Sequence, residues 1–337
     1  MSIISGKKRE KVPVEVVILN KAEIESVISY KEALEVQDEV YKAIGGLQMI
    51  QPGKEAMYVD APDNKNFFVA MPVFMKNINV AGIKWLSAYY NQQPGIPMVW
   101  GSVIVLNRPE NGQIFAIMDG TAITNVRSAT HSAIAGKYLA KKDSKTITMI
   151  GSGNQAITHL YAFKELFPLE MVKVYNIRSE AMTNYMDEIE ALTQINAIPT
   201  TSVKEACEDT DIICVVTTAS EPVVMEKDLP VGCFVTGLMG FIDLDPEVSK
   251  KADKWIIGDR KSDEHLSGTV AGAGVVDFNN IYAEMGEIAI GAKPGRESDE
   301  ERIVYTHFGM GAHDIMLANF AYNKALKQGL GTKVNLI

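Results

Sequence analysis

The chain has 337 residues, of which 47% are hydrophobic and 22% charged, and its formal net charge is −9. That length accommodates one large or two ordinary domains around a sizeable core. The acidic balance argues against a general binder of nucleic acid or anionic membrane, because no excess of Lys and Arg meets the phosphates; a local basic pocket for a small anion stays open.

In chain order, residues 12–19 read as a strand. Ile24, Val27, Ile28, Leu34, Val40, Tyr41 and Ile44 then recur at helical spacing, which predicts one helix over 21–44 stopped by Gly45-Gly46. Apolar runs at 67–71, 80–86, 99–106 and 115–119 predict strands, with turns at Pro62-Asp63, 91–95 and Asn111-Gly112. The Asn-Gly pair predicts a hairpin whose loop exceeds two residues. An Ala-rich helix is expected over 124–142, capped by Thr124 and Asn125, with Lys137, Lys141 and Lys142 towards its end. Strands at 146–150, 172–176, 211–217, 233–237 and 254–258 then alternate with helices, the pattern of a parallel, doubly wound α/β sheet. A last helix over 312–328, ended by Gly329, is expected to pack back on the first domain. That gives a discontinuous domain of 1–125 plus 305–337 around a central domain of 126–304. Cys207, Cys214 and Cys233 lack metal or disulfide spacing and read as buried thiols of a reducing cytosol. No signal-peptide stretch or transmembrane run stands out, so a soluble cytoplasmic protein is expected.

The most specific motif follows strand 146–150. Gly151-Ser152-Gly153-Asn154-Gln155-Ala156 is a G-x-G-x-x-A turn between a strand and a helix, the context a dinucleotide fingerprint requires. Gly151 permits the tight turn, Gly153 lets backbone approach a pyrophosphate, and Ala156 allows close helix–strand packing. The helix start offers unpaired N–H groups to phosphate. At the end of the next strand NAD-binding proteins usually place an acid; this chain has Asn176-Ile177-Arg178-Ser179. Asn176, Arg178 and Ser179 can meet a 2′-phosphate that a carboxylate would repel, so NADP(H) is favoured and NAD(H) remains possible. Arg178 could equally be solvated or stack on adenine. Thr217, Thr218 and Ser220 end a later strand, where they would sit near nicotinamide ribose or pyrophosphate, or form an ordinary turn.

Three cations are candidates for a substrate anion. Lys84 lies in an apolar strand and by alternation faces away from Ile83 and Trp85. It needs a partner: a substrate carboxylate, a catalytic proton, or a plain salt bridge. Arg127, expected in the first turn of the Ala-rich helix, opposes the helix dipole there, so it answers either an anionic substrate or a structural carboxylate. Lys54 is a weaker candidate, and His131 reads as a packed helix residue.

Met71-Pro72, Gly82-Ile83-Lys84, the run from Gly101 to Leu106, Ala116-Ile117-Met118-Asp119, the run from Thr124 to Ala129 and the glycine turn resemble, in order and spacing, the ornithine cyclodeaminase and mu-crystallin family. The resemblance implies a Rossmann domain plus an α+β substrate and dimerisation domain, hence a homodimer. It also implies NAD or NADP and redox chemistry at a carbon–nitrogen centre of a small amino or imino acid. By it, Lys84 and Arg127 take catalytic and substrate-binding roles, Lys54 joins the carboxylate site, and the 174–179 segment looks like an NADP-binding turn. One departure matters: ornithine cyclodeaminases carry an Asp after the fifth Rossmann strand, whereas Thr236-Gly237-Leu238-Met239-Gly240-Phe241 has no acid. Ala283-Glu284-Met285-Gly286-Glu287, Lys293-Pro294-Gly295-Arg296-Glu297, Met310-Gly311 and Asp314 instead resemble the opine-type dehydrogenase of siderophore-precursor biosynthesis. The leading expectation is hydride transfer between nicotinamide and substrate Cα. Ornithine cyclodeamination with internally recycled NAD, or a mu-crystallin-like binding protein without turnover, are the alternatives.

Overall fold

The computed structural model describes residues 14–59, 66–89, 101–239, 242–263 and 278–336. Among them are two eight-stranded sheets. The first contains β1 (Glu15–Leu19), β2 (Met49–Ile50), β3 (Glu55–Tyr58), β4 (Phe67–Met75), β5 (Val80–Ala88), β6 (Gly101–Asn107), β7 (Ile114–Asp119) and the C-terminal strand (Thr332–Asn335). Its order from that strand is β1, β7, β6, β5, β4, β2, with β3 also on β4. Only β1 and β7 run parallel among its neighbours. The Asn111-Gly112 loop joins β6 to β7 with Gly112 at φ 74°, a hairpin longer than two residues as expected. The turns expected at Pro62-Asp63 and 91–95 lie outside the described residues.

The second sheet is parallel throughout. It contains β8 (Thr146–Ile150), β9 (Met171–Tyr175), β10 (Asn196–Pro199), β11 (Ile212–Val215), β12 (Phe234–Gly237), β13 (Lys254–Ile257), β14 (Ala283–Glu284) and β15 (Ile303–Thr306). The order β10-β9-β8-β11-β12-β15-β13-β14 reverses direction between β8 and β11, the crevice where doubly wound sheets bind ligands. Strand β15, absent from the sequence reading, slots between β12 and β13.

Two helices replace the single one expected over 21–44: α1 (Lys21–Val27) and α2 (Tyr30–Gly45). Ile28 is extended, and Ser29 starts α2 with a capping box to Glu32, so local capping overrides the continuous apolar periodicity. The Ala-rich helix α3 (Gly120–Leu139) begins earlier than predicted, because Asp119 caps it by accepting the Ala122 N–H at 2.8 Å. Thr124, Asn125 and Arg127 therefore lie beyond the first turn, free for side-chain contacts. The expected domain breaks at 125/126 and 304/305 fall inside α3 and β15, both continuous elements.

The C-terminal helix (Gly311–Lys327) packs on β4, β5 and β6. A Cβ at Gly82 would meet Ile315 Cδ1 at 2.8 Å, and one at Gly311 would meet Val73 Cγ2 at 2.6 Å. These bare positions bring the first turn of the helix against the sheet. On the opposite sheet face Trp85 is 39% exposed and stacks on Phe68 at 5.4 Å between ring centroids.

Candidate active site

Lys84 projects from the centre of β5 towards the C-terminal helix and is fully buried, while Ile83 and Trp85 face the other way. Its Nζ donates to both carboxylate oxygens of Asp314 at 2.9 Å and to Thr124 Oγ1 at 3.3 Å. Arg127 Nε donates to Asp314 Oδ1 at 2.9 Å. One carboxylate thus holds two cations side by side. Burial pushes the Lys84 ammonium down to about 8, and the adjacent guanidinium adds to this against the pull of Asp314. Burial alone would raise Asp314; Arg127 and Lys84 hold it below its ordinary range.

Lys54 joins this group rather than lying at the surface. It is 5% exposed, and its Nζ donates to the Phe308 carbonyl. Gln51 anchors that segment, with Oε1 accepting the Ala312 N–H at 3.1 Å and Nε2 donating to Ser262 Oγ at 3.0 Å. Asp263 is also buried, and Lys54 is the cation that offsets its charge. Desolvation raises Asp263 and lowers Lys54. Gly309, at φ 69°, sits directly under Arg127: a Cβ there would lie 2.5 Å from Nη1. Three cations and two carboxylates therefore share one buried site, a set that one further carboxylate would neutralise.

The glycine turn lies one helix away. Gly151 has φ 100°, and a Cβ on it would meet the Val216 carbonyl oxygen at 2.7 Å, so both conformation and space demand glycine. A Cβ on Gly153 would find nothing within 4 Å, which leaves its backbone open to a ligand. Helix α4 (Asn154–Lys164) starts at Gly153 without a side-chain cap; the Ala156 N–H turns back to the Gly153 carbonyl at 2.9 Å, which leaves the amides of Asn154 and Gln155 to be met by a ligand. Ala156 is buried against the sheet. A dinucleotide pyrophosphate fits this cradle. Gly151→Ala is expected to weaken dinucleotide binding at least tenfold, read by NADH fluorescence, with the fold retained by circular dichroism.

Asn176 braces the turn, its Nδ2 donating to Ser152 Oγ at 2.7 Å and its Oδ1 accepting the Arg178 N–H at 2.9 Å. Arg178 and Ser179 are exposed where helix α5 (Ser179–Thr193) begins, also without a side-chain cap. Thr217 Oγ1 donates to Asp243 Oδ2 at 2.9 Å and accepts the Ala219 N–H at 3.1 Å, whereas Thr218 and Ser220 are exposed. Burial raises Asp243 to about 6. This acid, following the segment 236–241, is engaged at the strand end with Thr217. Residues 240 and 241 lie outside the described set. His131 is buried among aromatic rings, as expected of a packed helix histidine. Asp263, Phe308 and Gly309 escaped the sequence reading altogether, and Asp314 was noted only for its likeness to another enzyme. One signal was present: Asp314 is an acid within the apolar stretch of its helix, just as Lys84 is a base within an apolar strand.

Among the described residues no group of three or more His, Cys, Asp or Glu could hold a metal ion, and no helix is long and apolar enough to cross a membrane. The Staphylococcus aureus N-((2S)-2-amino-2-carboxyethyl)-L-glutamate dehydrogenase is 32% identical over 337 residues, covering 96% of this chain and 99% of that protein. The structure of Thermococcus litoralis Delta(1)-pyrroline-2-carboxylate reductase with NADH and L-proline superposes with TM-score 0.86 at 32% identity, over 95% of this chain and all of that one. An archaeal alanine dehydrogenase dimer with bound NAD gives TM-score 0.85 at 30% identity, over 96% of this chain and all of that one. The family model for the ornithine cyclodeaminase/mu-crystallin family matches residues 14–329, and the chain belongs to that family.

Proposed function

We propose that this chain is an NAD(P)-dependent oxidoreductase acting on a carbon–nitrogen bond of a small amino acid, imino acid or N-substituted, opine-type amino acid. The observation that carries the reading is the buried Lys84–Asp314–Arg127 cluster, with Lys54 beside it and a dinucleotide cradle next to it. A bound nicotinamide supplies or accepts the hydride. Arg127 and Lys54 clamp the substrate carboxylate, which fixes Cα relative to the cradle and removes much of the entropic barrier. Lys84 gives its proton to the imine nitrogen during reduction and takes it back during oxidation. Relatives whose names specify alanine, pyrroline-2-carboxylate and N-(2-amino-2-carboxyethyl)-glutamate as substrates share this carboxylate-plus-nitrogen chemistry.

The test follows absorbance at the nicotinamide band with NADH or NADPH and a panel of imino acids, and keto acids paired with amines. L-Alanine, L-proline and NAD(P)+ run in parallel. Substrate-dependent redox change supports the reading. Ammonia released from ornithine without net NADH change would favour cyclodeamination. Cofactor binding with no turnover would favour a binding protein.

The pH dependence has a defined sign. Lys84 is protonated below about 8. The reductive rate is expected to fall as pH rises through that region, and the oxidative rate to climb. Initial rates in both directions across pH 6–10 (~0.5-unit steps) check this; parallel profiles would remove Lys84 as the proton carrier.

We favour NADP(H) over NAD(H): a 2′-phosphate would meet the Arg178 guanidinium, the Ser179 hydroxyl and the uncapped start of α5. Arg178→Asp is expected to weaken NADPH binding at least tenfold and leave NADH within threefold; equal effects on both would reverse the preference. We also assign the cytoplasm as compartment, and the first sheet with the C-terminal helix as substrate and dimerisation domain. A second copy would cover the sheet face that carries Phe68, Ile83 and the exposed Trp85. Light scattering at micromolar concentration reads the mass, and a monomer would remove this assignment.

A further inference from the structure

The mechanism above leaves a second buried cluster unused. His131, His159, His307 and His313 lie beside Arg127, each 1% exposed or less. Burial, with Arg127 adding to it, holds His159 and His307 below the ordinary range, so both are neutral near pH 7.

Neutral imidazoles in fixed contacts have determinate tautomers. His159 Nδ1 lies 2.7 Å from the Gln155 carbonyl oxygen, which can only accept, so Nδ1 carries the hydrogen. His159 Nε2 is then an acceptor, and Ser132 Oγ at 3.2 Å is its donor. Ser132 Oγ also lies within donating distance of the Ser128 carbonyl, at 3.0 Å, which has a second lone pair to offer. That carbonyl is already satisfied by its helix N–H, whereas the buried His159 Nε2 would be left without a donor, so the hydrogen goes to His159. With its hydrogen committed, Ser132 Oγ accepts from His307 Nε2 at 3.3 Å. His307 Nδ1 is left as a bare lone pair, consistent with its having no partner. The chain has one direction: His307 donates to Ser132, Ser132 to His159, and His159 to the Gln155 carbonyl.

Its two ends are the two halves of the site. Gln155 is in the first turn of α4, in the dinucleotide cradle. His307 opens the segment whose next residues support the substrate cations: the Phe308 carbonyl holds Lys54, the Phe308 N–H donates to Asp263, and Gly309 lies under Arg127. Gln155 also reaches α3 by its side chain, Nε2 donating to Asn125 Oδ1 at 3.4 Å, next to the Thr124 that meets Lys84.

We propose that Ser132, His159 and His307 are positioning residues that link the dinucleotide cradle to the loop at residues 307–309, so that cofactor binding at Gln155 sets the placement of Lys54 and Arg127. The proposal rests on the dinucleotide reading above. The test uses full-length protein labelled with 15N-histidine, its ring signals assigned by His159→Gln and His307→Asn. NADH and NADPH binding is followed separately by fluorescence. In the wild type we expect His159 protonated at Nδ1 and His307 at Nε2, with the His307 ring nitrogens shifting when cofactor binds. In Ser132→Ala we expect cofactor affinity within threefold of wild type and no His307 shift. His159→Phe, which cuts the chain one link nearer the cradle, serves if Ser132→Ala does not fold. Cofactor fluorescence with an unmoved wild-type His307, or with a His307 shift that survives either cut, overturns the proposal alone, as does a His159 protonated at Nε2. Absence of cofactor binding to wild type overturns the dinucleotide reading and the proposal with it.

Discussion

Replacing Lys84 by Ala is expected to lower kcat/KM by about 10²–10⁴-fold, the usual worth of one positioned proton donor. NADH affinity should stay within twofold, because the glycine turn is built without Lys84. The substitution leaves Asp314 paired with Arg127, so the carboxylate is not orphaned. Lys84→Met keeps most of the side-chain volume and separates loss of the proton from loss of packing. Both variants should lose the pH inflection assigned to Lys84. Steady-state kinetics in both directions, with cofactor titration by fluorescence, provides the check. Retained kcat/KM in Lys84→Met would end the catalytic role and leave Lys84 as half of a structural salt bridge.

Asp314→Asn should produce the largest loss of stability. The wild-type carboxylate, 0% exposed, faces a fully buried lysine and an arginine 6% exposed. Removing its charge while leaving both cations in place strands them in a low-dielectric site. Breaking a buried ion pair from one side typically costs about 3–5 kcal/mol. Lys84 can relieve part of this by losing its proton, since it already titrates near 8; Arg127 cannot. Without Asp314 the Lys84 proton is lost at a lower pH than the wild-type value of about 8, so the deficit should shrink as pH rises towards 8 and level off above it, which urea melts at several pH values would read. A carboxylate ligand should restore part of the stability by mass action, because it supplies the missing negative charge. A variant as stable as wild type at pH 7 would mean that the pair is solvated in solution.

The glycine turn was legible because everything it needs is local. A strand, two glycines, a small residue and a helix start lie within a few consecutive positions, and each has a single steric or electrostatic reason to be there. Lys84 was legible for a related reason, since a lone charge in an apolar strand demands a partner. Its partner was not legible as such. Asp314 lies 230 residues away, and an acid in the first turn of a helix reads equally well as a surface residue that favours the dipole. Lys54 illustrates the limit more sharply. Gln51-Pro52-Gly53-Lys54 has the composition of an exposed turn, yet Gln51 ties that segment to Ala312 and Ser262 and carries the lysine into the interior.

Helix boundaries failed where apolar periodicity and capping disagreed. The pattern over 21–44 continues through Ile28, but Ser29 and Glu32 form a reciprocal cap that is stronger locally than one more turn. The start of α3 was misplaced because Asp119 ends a strand and caps a helix at once, and reading it as strand hid the cap.

By itself, then, the sequence determined the parallel α/β class, the glycine turn between strand and helix and the isolated cations, all properties of neighbouring residues and their spacing. The tertiary structure alone decided which charges meet, where β15 enters the sheet, and how Phe308 and Gly309 come to support Lys54 and Arg127. Those outcomes depend on long-range packing, in which Gly82 and Gly311 let one helix approach one sheet, and buried charges then pair with whatever that approach brings within reach.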